Sequence, residues 1–197
     1  MMENDSQPRV GSGWLALVVA LCLLGLTAVF SLNRPTSTAT NIVGTLNGQP
    51  FTREAFENEL RFADLRATLA NQAPQPVNKV ALLNRMVGDA LILQVARNSG
   101  SNTPSDAIDQ EVASIISQFG LSEAEMRQQL AAHGLTWQDF HGSVGDYMTL
   151  ISFLEEKLLA DVPPDQQQDF LQNWMGTLLS SASIDFDEAF ITEISSP

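Results

Sequence analysis

The sequence predicts a mainly helical protein. An apolar N-terminal helix precedes a helical domain that carries a small antiparallel β-sheet. Three observations predict this. No charged residue occurs from Val10 to Asn33. Between Thr52 and Leu179, large apolar residues recur at helical spacing, separated by Gly, Pro, Ser and Thr punctuation. Strand-like stretches stand at both ends of the domain, Ile42 to Leu46 before Asn47-Gly48 and Ser183 to Asp187 near the C-terminus.

The apolar run comes first. Residues 13–32, GWLALVVALCLLGLTAVFSL, are long enough for a transmembrane helix, since ~20 residues cover the ~30 Å hydrocarbon core. Trp14 and Phe30 sit near its ends, as interfacial aromatics do. A cleaved signal peptide is the rival reading. Against it, Glu3 and Asp5 offset Arg9 before the run, and Val29-Phe30-Ser31 is a poor cleavage site. Leu21 before Cys22 also disfavours a lipoprotein. Arg9 and Arg34 balance across the run, so charge gives little orientation. The expected plan is a tail at 1–12, an anchor at 13–32, a linker at 33–40, a domain at 41–190 and a C-terminal tail at 191–197. The expected location is the cell membrane, single-pass, with the domain extracytoplasmic.

In the domain, Ile42 to Leu46 reads as a strand, Asn47-Gly48 as a type I′ turn and Gln49 to Phe51 as the return strand. Thr52 caps a helix to about Asn71, with Phe56, Leu60, Ala63 and Ala67 on one stripe and Phe62, Leu65 and Leu69 on a second. A second helix runs from Asn78 to Gly100. Val80, Leu83, Val87 and Ala90 form one face, with Leu82, Met86 and Leu93 on another. A helix apolar nearly all round is expected at the centre of the core.

Thr103-Pro104 suggests a cap followed by proline at the first helical position. Ile108, Val112, Ile115 and Phe119 then follow up to Gly120. Ser122 with Glu125 forms a capping box for a short helix carrying Met126 and Leu130, closed by Gly134. Thr136 with Asp139 opens a long helix, Trp137 to Ala160. Its expected seam is Phe140, Val144, Tyr147, Ile151, Leu154 and Leu158, with Trp137, Met148, Leu150 and Phe153 off it. Pro163-Pro164 stops that helix. A last helix carries Phe170, Leu171, Trp174, Met175 and Leu178. Ser183 to Asp187 alternates as a half-buried strand, and the opening hairpin is its expected partner because an isolated hairpin is marginal.

Charge and chemistry narrow the function. The chain of 197 residues has a net charge of −13 and a pI near 4.3, which disfavours nucleic acid and anionic lipid as partners. Cys22 is the single cysteine, so neither an intrachain disulfide nor a Cys-based zinc site is available. His133 and His141 are eight apart with Gly134 between them, not the i, i+4 spacing of helical metal ligands. No metal and no cofactor is expected. Glu155-Glu156 and Asp185, Asp187 and Glu188 have no neighbouring His or Cys and read as solvated faces. Gly142-Ser143-Val144-Gly145 is no phosphate loop, and its glycines suit close packing or a kink. No catalytic residue is assigned.

The order of these parts resembles the N-terminal chaperone domain of the extracytoplasmic SurA/PrsA-type foldases, over about Asn41 to Phe186. The residues that carry the resemblance are Val43 to Gln49 with Thr52 and Phe56, Ser105-Asp106, Gly120-Leu121-Ser122 and Gly134-Leu135-Thr136. In that family a parvulin-type prolyl isomerase domain lies between the long helix and the closing helix-strand. Here that interval is Asp161-Val162-Pro163-Pro164. The resemblance therefore implies a client-binding scaffold without isomerase activity, and a final strand returning to the first hairpin.

The implied partners are unfolded or partly folded exported polypeptides; a homodimer is left open. The alternative is a dedicated module for one membrane or envelope partner. The apolar residues in surplus of a single stripe are the client-binding candidates: Phe62, Leu65, Leu69, Met148, Phe153, Trp174 and Met175. Covering one such side chain gains about 1.5–3 kcal/mol, whereas micromolar affinity requires about 8 kcal/mol. A broad surface with several contacts is thus expected.

Overall fold

The computed structural model describes residues 41–73 and 75–196. Strand β1, Ile42–Leu46, and strand β2, Gln49–Thr52, form the expected hairpin. Asn47 and Gly48 take φ of +51° and +76°, as a type I′ turn requires. Val43 is the extra residue of a bulge, because Ile42 faces Thr52 while Gly44 faces Phe51. Pro50 is tolerated because β2 is an edge strand. Strand β3, Ile184–Phe186, pairs antiparallel with β1 on the other side, giving the order β2-β1-β3. Asn47 reinforces that closure: its amide N–H donates to Ser183 O at 2.7 Å and its side-chain oxygen accepts from Ser183 N at 2.9 Å.

Helix α1, Arg53–Leu69, starts where Thr52 Oγ1 accepts from Ala55 N. Helix α2, Lys79–Asn98, is capped by Asn78 and followed by Gly100 at φ +77°. It is the central helix, burying Leu82, Leu83, Met86, Val87, Ala90, Leu91, Ile92, Leu93 and Ala96. Val80, expected on a core face, lies in the first turn and is exposed. Helix α3, Ser105–Gln118, has Pro104 itself at the N-cap with no side-chain cap bond. The Thr103 hydroxyl, expected to cap, instead bonds Thr149 Oγ1 at 3.0 Å. Helix α4, Glu123–Ala132, and helix α5, Trp137–Phe153, both open with complete capping boxes, from Ser122 and Thr136.

Helix α5 differs from its expected seam. Phe140 and Val144 are buried, but Tyr147, Ile151, Leu154 and Leu158 are only partly so. The buried set is Phe140, Ser143, Val144, Gly145, Asp146, Thr149, Leu150 and Phe153. The reason is that α5 packs on two neighbours at once, α2 and α3, so a single stripe cannot describe it. Gly145 permits the close approach to α3, since a Cβ there would lie 2.7 Å from Ile108 Cδ1. Two of the buried polar positions are bonded: Arg97 on α2 pairs with Asp146, and Thr149 Oγ1 donates to Gly145 O. After Phe153 the helix widens into a π turn, Leu154–Leu158.

Helix α6, Gln167–Ser181, has no buried residue. The chain then forms β3 and a further helix, α7, Glu188–Ser195. Helix α7 thus contributes to the core through Phe190, 1% exposed, and through Ile194, 5% exposed, which lies in the expected tail at 191–197. Asp187 caps α7 by accepting from Ala189 N and Phe190 N, and Arg53 holds Glu193 with two bonds of 2.8 and 2.9 Å. That pair raises the Arg53 pKa and holds the Glu193 carboxyl below its ordinary value.

The core has three clusters. The first joins the sheet, α1, α2 and α7, with Leu46, Phe51, Phe56, Met86 and Leu91 around Phe190. Its rings meet edge to face, Phe51 on Phe186 and Phe56 on Phe190. The second joins α1, α3, α4 and α5. The third joins the C-terminal half of α2 to α5, with α6 lying on it.

Two sequence expectations need correction. The described fold is mainly helical with a three-stranded sheet, and no helix among the described residues is long and apolar enough to cross a membrane. The fold class that included a transmembrane helix, and the single-pass membrane location drawn from it, are set aside on that finding. The expected span at 13–32 lies outside the described residues.

Gly44 gives a direct test of the sheet closure. A Cβ there would collide with the Phe186 ring and lie 2.6 Å from Asp185 O. Gly44→Ala should cost about 1–3 kcal/mol in urea unfolding, with faster amide exchange across β3. Phe190→Ala should cost about 3–5 kcal/mol, the range for emptying a buried phenylalanine site. By contrast, Ile191→Ala, at a position 37% exposed, should cost well under half as much in the same titration.

Candidate peptide-binding surfaces

The seven apolar candidates fall into two kinds. Phe62 and Leu65 are buried in the second cluster and Phe153 in the third, so these three fill the core and do not present a surface. Leu69 and Met148 are half-buried against the second cluster. Trp174 and Met175 are half-buried against the third, with the Trp174 ring 6.2 Å from that of Phe153. The seven are therefore not gathered into one surface.

Helix α6 is the more open of the apolar elements they touch. Besides Trp174 and Met175 it exposes Phe170 and Leu179. Trp174, Met175 and Leu178 rest on the third cluster without any being enclosed.

A second surface is a groove of about 610 Å³ where α3, α4 and the start of α5 meet. Val112, Ala113, Ile116, Leu121 and Trp137 supply its apolar lining, with Asp109, Ser117, Gly120 and Glu123 completing it. Local sequence builds it. Gly120 at φ +67° ends α3 and turns the chain, and Leu121 N donates back to Ile116 O. Ser122 then starts α4 with its capping box, its hydroxyl and amide holding the Glu125 carboxyl below the ordinary glutamate value. Thr136 starts α5 and sets Trp137 at the groove.

Charge borders this groove. The Arg127 guanidinium lies 3.8 Å from the centre of the Trp137 ring and bonds Glu123 Oε1 at 2.7 Å. His141 Nε2 meets Asp109 Oδ1 at 2.9 Å. These pairs are exposed, so each is exchangeable with solvent or a ligand.

Sequence reasoning placed Trp137 off the helix seam but did not join it to Leu121, Val112 and Ile116. The available signal was the pair of short turns, Gly120-Leu121-Ser122 and Gly134-Leu135-Thr136, which fold α3, α4 and α5 against one another.

Elsewhere the ionisable groups are structural. Glu59, 1% exposed, sits between Arg85 at 3.2 Å and Arg66 at 3.6 Å. Burial lowers the Arg66 pKa, and the Glu59 charge opposes that fall. His133 Nδ1 bonds Gln129 O at 2.8 Å, and Nε2 lies 3.1 Å from Thr68 Oγ1. Among the described residues no group of three His, Cys, Asp or Glu side chains is arranged to hold a metal ion.

The relationships of the chain match this architecture. The family model of the SurA N-terminal domain matches residues 41–153, which run from β1 to the end of α5. Curated relatives named Chaperone SurA include that of Albidiferax ferrireducens, 30% identical over 161 residues, covering 79% of this chain and 32% of that protein. The Polaromonas sp. relative is 25% identical over 157 residues, covering 76% of this chain and 33% of the other. The Chromobacterium violaceum relative is 25% identical over 150 residues, with 75% and 34% covered. The chain spans about a third of the length of the curated relatives it matches. On the match to its first two strands and first five helices, the chain belongs to the SurA N-terminal domain family.

Proposed function

We propose that this chain is a chaperone that holds extended apolar segments of unfolded polypeptides and does not catalyse prolyl isomerisation. The observation that carries the reading is the open groove lined by Val112, Ala113, Ile116, Leu121 and Trp137. Its volume lies in the range of ligand sites. The name of its relatives, Chaperone SurA, supports the same reading.

Energetics favour dispersed contact. A groove of this size accepts two or three side chains, each gaining about 1.5–3 kcal/mol when fully covered. Ordering a flexible segment offsets part of that gain. A second surface is therefore useful, and the exposed residues of α6, Phe170 and Leu179, supply one. One polypeptide touching both would gain affinity by linkage. Trp137 suits this work because a large rigid ring gives area at little conformational cost. The isomerase part of the proposal rests on the interval between the π turn and α6, residues 159–166, which is too short to hold a further domain.

Light scattering checks the holding activity. Two unrelated proteins diluted from denaturant should aggregate less when the full chain is present at near-stoichiometric ratio. Trp137→Ala should require about ten-fold more chaperone for the same protection, the consequence of losing one large apolar contact. No protection of either protein would sink the reading. A proline-containing peptide assay should show no acceleration, and measurable acceleration would overturn the second half of the proposal.

A further inference from the structure

We infer that the groove between α3, α4 and α5 selects segments in which basic residues flank apolar ones. This deepens the chaperone reading and rests on it. The groove lining contains two carboxylates, Asp109 and Glu123, and no cation. Asp109 stands on α3 and Glu123 on α4, so they approach the apolar floor from different helices.

The surrounding charge has the same sign. From Pro104 to His141 the chain carries Asp106, Asp109, Glu111, Glu123, Glu125 and Asp139 against a single arginine, Arg127. The groups that border the site are Arg127, on Glu123 and Trp137, and His141, on Asp109. Neither removes the selectivity. Both carboxylate side chains are more than half exposed, and an ionised carboxylate accepts from more than one donor at once. A lysine or arginine from a bound segment can share each carboxylate with its present partner. A bound acidic residue would instead meet Asp109 and Glu123 with no free cation in the lining to answer it. Attraction in one case and repulsion in the other give discrimination by charge, while the apolar floor supplies affinity.

The test uses the full chain and three fluorescent peptides of equal length. They share the same leucines and phenylalanines and differ only in the intervening residue: lysine, serine or glutamate. Fluorescence anisotropy should give the lysine peptide a Kd about ten-fold below that of the serine peptide, as two exposed charge pairs of ordinary strength supply. The glutamate peptide should bind more weakly than the serine one. The spread should shrink in high salt, as expected for exposed charges.

The variant pair Asp109→Asn/Glu123→Gln should collapse the lysine-to-serine ratio toward one. Glu155→Gln/Glu156→Gln, which removes two exposed carboxylates outside the groove, should leave that ratio unchanged. This second pair separates the groove from the general effect of the −13 net charge. Circular dichroism checks that both variants are folded. Equal binding of the three peptides, or a preference that survives the Asp109/Glu123 pair, overturns this inference and leaves the chaperone reading standing. Failure of all three peptides to bind, together with no protection in light scattering, overturns both.

Discussion

The fold depends on one helix with an unusually wide buried surface. Along α2, nine residues from Leu82 to Ala96 are buried, while Ala81 and Asn84 are exposed and Gly88 faces open space. Such a helix is stable in water only if several elements cover its apolar faces. The first half is covered by the sheet and α7, and the second half by α5 and α6. None of these covers is contiguous with α2 in sequence apart from the short path to α1. The chain must therefore return from far away, and β3 with α7 completes the cover at the C-terminal end. Gly44 and Asn47 matter because they admit and fasten that returning strand.

Charge pairs join α2 to α1 and α5. Arg97 of α2 pairs with Asp146 of α5, and Glu59 of α1 meets Arg85 of α2 beside Arg66. Pairs of this kind offer little net stability once desolvation is counted. Breaking one partner is costly because a charge is then left in a poor dielectric. These pairs add directional contacts between α1, α2 and α5 to the apolar packing that drives their association.

The parts legible in sequence are those set by near neighbours along the chain. The Asn47-Gly48 turn, the Thr52 and Asn78 caps and both capping boxes involve groups within a few residues. Tertiary context decides the rest. The α5 seam differs because Tyr147 and Ile151 repeat like Phe140 and Val144, yet Phe140 and Val144 lie in the second cluster while Ile151 lies at the edge of the third. Helix α7 was hidden because it is short and begins with carboxylates, Asp187 and Glu188, that read equally well as a solvated face. The candidate site suffered the same ambiguity. Phe62 and Met148 are both large apolar residues at helical spacing, but one is core and the other half-buried. Periodicity reports which residues share a face, not whether another helix covers it.

The groove follows from how α3 and α4 are joined. Gly120 turns the chain sharply, and the Ser122 capping box restarts it at once, so α4 cannot lie flat along α3. Met126 and Leu130 anchor α4 in the second cluster, while Glu123 at its N-terminal end lines the groove. Trp137 bridges the opening from α5, under Arg127. Apolar floor and acidic walls thus come from three helices, two of which open with capping boxes. Ordering a flexible segment in this cleft offsets part of the contact energy. Exposed rim charges of this kind act mainly on encounter and choice of partner, while the buried floor governs release. Weak, fast and charge-biased contact is what the proposed holding role requires.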